Sequence, residues 1–534
     1  WICKMKNSMS IEINNSNHLP LITKDYVLKN NLKEFYSFEN SIENYSEQII
    51  VRNNFPLEKR NTLVEVLLDQ NQGFSKNIID NILKLRDSKT FTVTTGHQLS
   101  LFTGPMYFLY KILQTIKLSK TLNKKYPENN FIPVYWMASD DHDFEEIKFF
   151  NSYEKKFSHE INNENICTGD IKTKNLEKVY RDLEIEFSNK KNANQLLQIF
   201  KESYLSKKTY SSAIRYLVYE LFKDYDIVVL DPNEKRLKTY FKSIVKNEIL
   251  KFSTYKIVNE TVGKISELYK GKFKPQVNPR KVNLFYIENK KRFRIDFKNG
   301  FFNIFNKNYS KEELLKIVEH KPENFSPNVL LRPLYQESIL PNLAYVGGGS
   351  EISYWLELKD LFVFYKIPFP ILSLRCSLLL LNKKDIEQIS RNNLSVSDFF
   401  EKLDFIEKKY ISKKNIGMYD FSNFLKQYNL LFDNQIGQLS KIDKNLNLIL
   451  SSLKKRHHND FDNLNKKIIK SLKRVDETSI NQIRKLHYKM FPNGVQQERY
   501  INFSHFYSII GIELIDKLYS FVDPFEPKYK VCII

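Results

Sequence analysis

The chain has 534 residues, 42% of them hydrophobic and 27% charged, which favours about two to four globular units and excludes a disordered chain. Its net charge of +21 does not indicate a specific nucleic-acid site, because the excess lysine is spread along the whole sequence and the basic runs are short. The four cysteines, Cys3, Cys167, Cys376 and Cys532, lack CxxC spacing, which argues against a disulfide framework and against a structural zinc cluster.

Two further features bear on location. The first residues carry no apolar segment of the kind found in a secretory signal. The most apolar stretch, residues 361–381, contains Lys366, Arg375 and two prolines, so it is not expected to span a bilayer. The expected location is the reducing cytoplasm.

The first elements in the chain predict a βαβ unit. Residues 57–86 have apolar side chains at spacings of three and four, which predicts helix. The run "TFTVTT" predicts a buried strand ending at Gly96, and a helical pattern follows from Pro105 to about Leu122. "FIPVYWMA", residues 131–138, predicts a second buried strand, which completes the unit.

The same order of elements returns later in the chain. "DIVVLDPNE", residues 226–234, predicts a third strand. "AYVGGGSEISYWLELKDLF" predicts a strand, three glycines and a helix from about Ser350, and "IPFPILSLR" predicts a further strand closing at Arg375. Apolar strands joined by helices predict an α/β fold with a Rossmann-like, doubly wound, mostly parallel sheet.

Other segments do not fit this sheet. Residues 150–200 are polar, and residues 255–325 contain an alternating stretch with Asn299-Gly300 that predicts a β-hairpin, so both are interpreted as connecting insertions. After about residue 380 the strand signal disappears, and an apolar stripe predicts a long helix in a coiled coil or a bundle. The stripe consists of Leu439, Ile442, Leu446, Ile449, Leu453, His457, Phe461, Leu464, Ile468, Leu472 and Val475. The predicted boundaries are 1–150, 206–254 and 329–385 for the core, 151–205 and 255–328 for the insertions, and 386–534 for the α-helical coiled-coil region and tail.

Ligands of open parallel sheets bind beyond the carboxyl ends of the strands, and four sequence clusters fall at such ends. The first is Gly96-His97-Gln98, followed by Gly104, Pro105 and Tyr107 at the start of the predicted helix. Glycine allows close backbone approach, a helix N-terminus attracts anions, and His97 could contact an anion or transfer a proton. The alternative is a turn in which His97 caps the helix.

The second cluster is "ASDDHDFEE", which begins directly after a buried strand. Asp141, His142 and Asp143, with Asp140 before them, could hold an ammonium group or bind a metal. Metal binding is the less favoured of these two roles, because the spacing along a loop does not fix a coordination geometry. The structural alternative is an acidic loop that leads into a helix N-terminus.

The third cluster is Gly347-Gly348-Gly349, with Glu351 and Tyr354 on one face of the helix that follows. It matches neither GxGxxG nor GxxxxGK[ST], which weighs against a standard dinucleotide site or P-loop. Upstream, Arg332 and Gln336 stand four residues apart, and a surface pair is their alternative role. Arg375, at the end of the last predicted strand, is the fourth cluster.

Taken together, "TGHQLSLFTGPMYFLYK", "PVYWMASDDHDFEE", "SPNVLLRPLYQESILPNLAYVGGGSEISYW" and "PFPILSLR" resemble the cysteine-adding enzyme family of bacillithiol biosynthesis. The resemblance extends over most of the chain in the expected order. It implies a Rossmann-like core with two connecting insertions and a C-terminal α-helical coiled coil that supports homodimers in the cytosol.

The resemblance also implies a ligase that joins the carboxylate of L-cysteine to the amine of glucosaminyl malate, giving bacillithiol. Because a carboxylate does not acylate an amine in water without activation, ATP is inferred as the activating substrate. On this hypothesis loop amides and His97, as a ligand contact, stabilise charge on the α-phosphate. Asp141 or Asp143 holds or deprotonates the amine, and Arg332 and Arg375 bind the malyl carboxylates.

Two other functions stay open at this point. One is a metal-dependent hydrolase centred on Asp141, His142 and Asp143. The other is a basic scaffold that dimerises through its C-terminal helix and binds RNA with strong salt dependence.

Overall fold

The computed structural model describes residues 8–12, 19–414, 421–439, 441–443 and 445–534. Cys3 and residues 415–420 of the predicted coiled-coil region lie outside the described residues. The strands are β1 (Ser8–Glu12), β2 (Thr90–His97), β3 (Asn130–Met137), β4 (Phe149–Asn151), β5 (Lys156–Ser158), β6 (Val228–Leu230), β7 (Leu284–Glu288), β8 (Lys291–Lys298), β9 (Phe301–Ile304), β10 (Lys307–Tyr309), β11 (Phe325–Pro327), β12 (Asn342–Gly347), β13 (Ile371–Leu374), β14 (Ser377–Leu381) and β15 (Lys528–Ile533).

The helices connect these strands and form most of the C-terminal part. They are α1 (Leu21–Val27), α2 (Asn44–Arg52), α3 (Leu57–Gln70), α4 (Lys76–Lys84), α5 (Tyr107–Lys125), α6 (Phe144–Ile147), α7 (Glu177–Phe187), α8 (Ala193–Phe200), α9 (Tyr210–Phe222), α10 (Lys235–Lys238), α11 (Lys242–Lys251), α12 (Ser253–Leu268), α13 (Lys311–His320), α14 (Arg332–Ile339), α15 (Gly349–Leu356), α16 (Lys359–Phe364), α17 (Lys383–Arg391), α18 (Leu403–Lys414), α19 (Phe421–Leu439), α20 (Asn445–Val475), α21 (Glu477–Met490), α22 (Gln497–Tyr500), α23 (Phe503–Ile510) and α24 (Glu513–Phe521). None of the helices in the described ranges combines the length and the apolar composition that crossing a membrane requires.

The described residues divide into two compact units. The larger unit contains the residues up to 379 together with 498–532, and the smaller unit contains 380–497 with 533–534.

A five-stranded parallel sheet forms the centre of the larger unit, in the order β13-β12-β2-β3-β6. Its strands are buried on both faces, as their continuous apolar sequences predict. Phe131 packs into the core cluster on one face, and the next residue, Ile132, packs into the cluster on the other. The chain adds β3 and β6 on one side of β2, and then places β12 and β13 on the other side. The connections therefore diverge between β2 and β12, where a doubly wound sheet binds ligands.

The predicted hairpin at Asn299-Gly300 is present and belongs to a second sheet. Strands β10-β9-β8-β7-β11 pair antiparallel in this order, and Asn299-Gly300 joins β8 to β9 with both residues at positive φ. A second two-residue connection, Asn289-Lys290, joins β7 to β8, also with positive φ at both residues.

Two predictions for the C-terminal part need correction. The strands do not end near residue 380, because β15 lies at Lys528–Ile533 and pairs antiparallel with β1. The apolar stripe is not one continuous helix. Leu439 ends α19 and Ile442 lies in the connection before α20, so the chain turns back there.

The smaller unit contains an antiparallel pair of long helices. Tyr428 of α19 hydrogen-bonds to His457 of α20 at 2.6 Å, and Phe424 contacts Phe461 one turn away on each helix. Apolar stripe residues remain exposed along this pair; Leu448 is 75% exposed and Val475 83%. This exposure leaves an apolar surface that neither α19 nor α18 covers.

Candidate active site

A cavity of ≈630 Å³ opens at the carboxyl edge of the central sheet, with the β7–β8 hairpin as its other wall. It brings together residues from all four predicted clusters. The predicted residues that line it are Gly96, His97, Gln98, Tyr107, Asp140, Asp141, His142, Asp143, Arg332, Gly348, Gly349, Glu351, Tyr354 and Arg375. Gly104, Pro105, Gln336 and Gly347 do not line it.

Gly104 and Pro105 lie at the start of α5, which the protein's own backbone covers. The Met106 N–H donates to the carbonyl of Ile501 at 2.8 Å, and the Asn502 side-chain amide donates to the carbonyls of Phe102 and Gly104. Residues 102–104 all have positive φ, so Asn502 holds a strained turn in place. The structure therefore does not bring this helix N-terminus to the cavity as an anion site.

Gln336 and Gly347 support residues that do line the cavity. The side-chain amide oxygen of Gln336 accepts a hydrogen bond from the guanidinium of Arg332 at 3.0 Å. The backbone carbonyl of Gly347 accepts one from the backbone N–H of Arg375 at 2.8 Å. Both residues therefore orient an arginine.

His97 is a neutral hydrogen-bond acceptor. Its Nδ1 lies 2.8 Å from the carbonyl of Gln98 and must donate there, because a carbonyl oxygen can only accept. Burial and the charge of Lys111 lower the pKa of His97 to about 4. The neutral ring then carries its lone pair on Nε2, for which the described residues provide no partner. His97 can accept a hydrogen bond from a ligand, and it is a weak base.

Asp141 is held ionised by donors on several sides. Gln98 donates to it at 2.8 Å, Arg292 at 3.1 Å, and the His142 N–H at 2.8 Å. Burial raises the pKa of Asp141, but the hydrogen bonds from His142 and Gln98 and the charge of Arg292 outweigh it and hold the pKa well below its ordinary value. Asp141 is therefore better suited to hold a cationic group than to remove a proton.

His142 contacts the same arginine. Arg292 Nη1 lies 3.2 Å from His142 Nδ1 and must donate, because a guanidinium has no acceptor. A neutral His142 then carries its proton on Nε2 and has no free lone pair. In this arrangement His142 can donate a hydrogen bond but cannot act as a general base.

Arg292 was not among the predicted site residues, because its sequence neighbourhood indicates only a short basic run. It is 7% exposed, lies 3.9 Å from the centre of the Phe285 ring, and donates to the Pro327 carbonyl at 2.7 Å. The alternation of β8 was a usable signal, since it places Arg292 and Arg294 on the face opposite the core residue Ile295. The sequence pattern does not predict that this hairpin lies over the sheet edge.

Glu351, which is partly buried, forms an ion pair with the buried Lys111 beneath the Gly348 turn. The ammonium of Lys111 lies 2.7 Å from Glu351, which also accepts hydrogen bonds from the Gly348 N–H at 2.7 Å and from Tyr345 at 2.6 Å. Burial alone raises the pKa of Glu351, but Lys111 and the Gly348 N–H bring it down to about 2. Lys111 lies among the buried residues of α5, and its helical pattern alone did not distinguish it from the other lysines of this helix.

Asp140 is also paired within the protein. It accepts a hydrogen bond from Ser326 at 2.7 Å and lies 3.3 Å from the ammonium of the buried Lys238. It lines the cavity with its charge already compensated.

The two predicted arginines differ in their charge partners. Arg375 donates to Glu498 at 2.7 Å, and both side chains are almost fully buried. Arg332 donates only to the neutral Gln336 and Tyr354, and no carboxylate of the described residues lies within ion-pair distance of it. Arg332 therefore keeps an uncompensated charge beside the β2–β12 switch point, whereas Glu498 compensates the charge of Arg375.

The described residues include no group of three His, Cys, Asp or Glu side chains arranged to hold a metal ion. The second cluster faces arginine and glutamine donors instead.

Comparison with known families identifies the whole chain. The model "Bacillithiol biosynthesis BshC, N-terminal Rossmann-like domain" matches residues 8–376, and "Bacillithiol biosynthesis BshC, C-terminal coiled-coil domain" matches residues 378–534. The chain belongs to the BshC family. The predicted Rossmann-like fold with a C-terminal coiled-coil region is thereby confirmed.

Full-length relatives agree with this assignment. A BshC protein of Flavobacterium psychrophilum is 40% identical over 532 residues and covers 98% of both chains. Those of Christiangramia forsetii and Flavobacterium johnsoniae are 38% and 37% identical, and cover 96% and 98% of this chain. All three carry the name "Putative cysteine ligase BshC".

Proposed function

We propose that this protein is a cysteine ligase that joins the carboxyl group of L-cysteine to the amine of glucosaminyl malate, forming the amide bond of bacillithiol. ATP would supply the activation that makes the carboxyl carbon electrophilic. Membership of the BshC family and the names of the relatives support cysteine ligation.

One observation carries the proposal: the cavity combines unpaired cations and unpaired carboxylates at a sheet switch point. Arg332 has no carboxylate partner, while Asp143 and Glu146 have no cationic partner among the described residues. Such a cavity complements ligands that carry both carboxylate and ammonium groups, as cysteine and an aminosugar conjugate do.

The hydrogen-bond geometry suggests a role for each group. Arg332 binds the carboxylate of cysteine beside the Gly348 turn. Asp141, ionised and held in place, anchors the sugar amine together with Asp143. His97 Nε2 accepts a hydrogen bond from a bound substrate and stays neutral, so it adds no positive charge next to Lys111.

The test is turnover by the purified protein. Glucosaminyl malate, L-cysteine and ATP are incubated with it, each is omitted in turn, and mass spectrometry follows the thiol product and the nucleotide. The proposal expects a cysteinyl amide only when all three substrates are present. Product formed without nucleotide consumption would remove ATP from the proposal, and no cysteinyl product would contradict the ligase itself.

Two rival functions make different predictions in the same preparation. A metal-dependent hydrolase would lose activity with a chelator, yet Asp141 already faces Arg292 and Gln98. An RNA-binding scaffold would show salt-dependent RNA binding and no turnover.

We also propose that the smaller unit pairs two copies of the chain in the cytoplasm. The support is the exposed stripe on α20, in which Leu448 is 75% and Ile449 63% exposed. Light scattering should give the mass of a dimer for the wild type and of a monomer for Leu448→Glu/Ile449→Glu. A monomeric wild type would contradict the pairing.

A further inference from the structure

The cavity has a second wall, formed by the β7–β8 hairpin. Phe285 pairs with Arg294 across this hairpin, and Arg292 lies over the Phe285 ring at 3.9 Å. Because side chains alternate along a strand, Arg292 and Arg294 share one face, and all three residues line the cavity. Ile295 on the opposite face is buried in the core, which fixes the orientation of the hairpin.

Of the seven basic side chains that line the cavity among the described residues, three are neutralised inside the protein, and so is the nearby Lys238. Each of four basic side chains has a carboxylate partner: Lys111 with Glu351, Lys238 with Asp140, Arg292 with Asp141, and Arg375 with Glu498. These pairs hold loops and strand ends in place.

Arg294 and Arg280 are different. Both are exposed, both line the cavity, and neither has a carboxylate within ion-pair distance among the described residues. Arg332 and the exposed Arg499 also line the cavity without such a partner, but neither belongs to the hairpin wall. An unpaired guanidinium on a fixed hairpin is available to bind an anion from solution, with two parallel N–H donors suited to a carboxylate.

The spacing along β8 relates this charge to the acidic cluster. Arg292 contacts Asp141, and Arg294 follows two residues later, about 6.6 Å along the strand. A ligand whose amine binds at Asp141 and Asp143 would therefore reach Arg294 with a group attached a few bonds from that amine.

We propose that Arg294, with Arg280, binds the two carboxylates of the malyl group and so selects the acceptor substrate. This inference rests on the proposed function, because it takes glucosaminyl malate as the acceptor. It assigns the two carboxylates to the hairpin wall, and it leaves Arg332 at the sheet edge for the carboxylate of cysteine.

The experiment compares the binding of two probes by calorimetry without ATP or cysteine. One probe is glucosaminyl malate, and the other is the methyl glycoside of glucosamine, which keeps the amine and lacks both carboxylates. The protein is used as wild type, as Arg294→Gln, and as Lys298→Gln. Lys298 is the matched control, since it is an exposed cation on the same face of β8 that does not line the cavity.

The wild type and Lys298→Gln should bind the malate conjugate at least about tenfold more tightly than the methyl glycoside. Arg294→Gln should reduce this ratio to about threefold or less, by weakening only the conjugate. An equal loss in Lys298→Gln, or no loss in Arg294→Gln, would overturn the subsite.

Three further results distinguish the failure of this inference from the failure of the ligase proposal and from phosphate binding at the hairpin. If inorganic diphosphate loses affinity in Arg294→Gln and the conjugate does not, the hairpin binds phosphate and the inference is wrong. If the wild type does not bind the conjugate, both the acceptor assignment and the subsite fail. If it binds the conjugate through Arg294 and forms no cysteinyl product, the subsite stands and the ligase proposal fails.

Discussion

Each wall of the cavity carries both paired and unpaired cations, and Arg332 is the unpaired one on the sheet edge among the described residues. On the sheet edge, Lys111 and Arg375 are buried and paired with Glu351 and Glu498. On the hairpin wall, Arg292 is buried and paired with Asp141, whereas Arg294, and Arg280 in the segment before β7, are exposed and have no ion pair among the described residues. Paired charges hold the backbone in position, and unpaired charges remain free for a ligand. The presence of an arginine in a pocket is therefore not enough to assign it to a substrate.

The largest effect is expected from breaking a pair on the sheet edge. Glu498→Ala leaves the buried guanidinium of Arg375 without its carboxylate, so the free energy of unfolding should fall by about 3–5 kcal/mol. Urea unfolding measures this. Glu513→Ala is the control, because Glu513 is 74% exposed and its ion pair with Lys517 should be worth less than about 1 kcal/mol. Equal losses in both variants would show that the Arg375–Glu498 pair does not hold the sheet edge.

The next effect concerns Nε2 of His97, the hydrogen-bond acceptor that has no partner among the described residues. His97→Ala should lower kcat/KM about 100-fold, because it removes the Nε2 acceptor. His97→Gln places an amide oxygen near the same point and should retain most of the activity. Steady-state kinetics of both variants make the comparison, and similar losses in the two would mean that the acceptor is not what matters.

His97 also makes a prediction about pH. Its pKa is lowered from 6.5 to about 4, so it stays neutral from about neutral pH down to about pH 5. The folded protein disfavours the protonated ring, so the stability that His97 contributes is present above pH 6.5 and is lost as the pH falls towards 4. The pH profiles of kcat/KM of the wild type and of His97→Gln should therefore have the same shape near pH 6.5. A step that this variant removes would contradict the assignment.

A smaller effect is expected where a carboxyl group is buried without a cation. Glu357 accepts a hydrogen bond from the Gln276 N–H at 3.0 Å, and burial raises its pKa to about 7. The folded state binds this proton more tightly than the unfolded chain, so the contribution is present below pH 4.5 and is lost as the pH rises through 7. Relative to the wild type, Glu357→Gln should gain about 2 kcal/mol between pH 5 and pH 8. Urea unfolding at the two pH values checks this, and a pH-independent difference would contradict it.

The sequence predicted the sheet-edge wall and missed the hairpin wall, for a physical reason. Continuous apolar runs reveal buried parallel strands, and the carboxyl ends of such strands share one edge, so His97, Asp141 and Gly348 could be placed together. The predicted hairpin at Asn299-Gly300 is β8–β9, whereas the cavity wall is β7–β8, and its docking over that edge depends on tertiary packing of Ile295 and its neighbours.

Residues distant in sequence could not be anticipated either. Glu498 reaches Arg375 from 123 positions away, and Lys111 lies on a helix whose pattern otherwise indicated only core packing. The early part of the coiled-coil stripe was misassigned because helical spacing continues across the turn at Ile442. Periodicity alone does not reveal where a chain reverses direction.

The most direct test of the central claim is a paired turnover measurement. Wild-type protein and Arg332→Gln are given cysteine, glucosaminyl malate and ATP, and mass spectrometry follows the cysteinyl amide while urea unfolding verifies that the variant is folded. Because the guanidinium of Arg332 is unpaired, we expect product from the wild type. The rate of cysteinyl amide formation should be about 100-fold lower in Arg332→Gln. Equal rates from two folded proteins, or no cysteinyl product from the wild type, would contradict it.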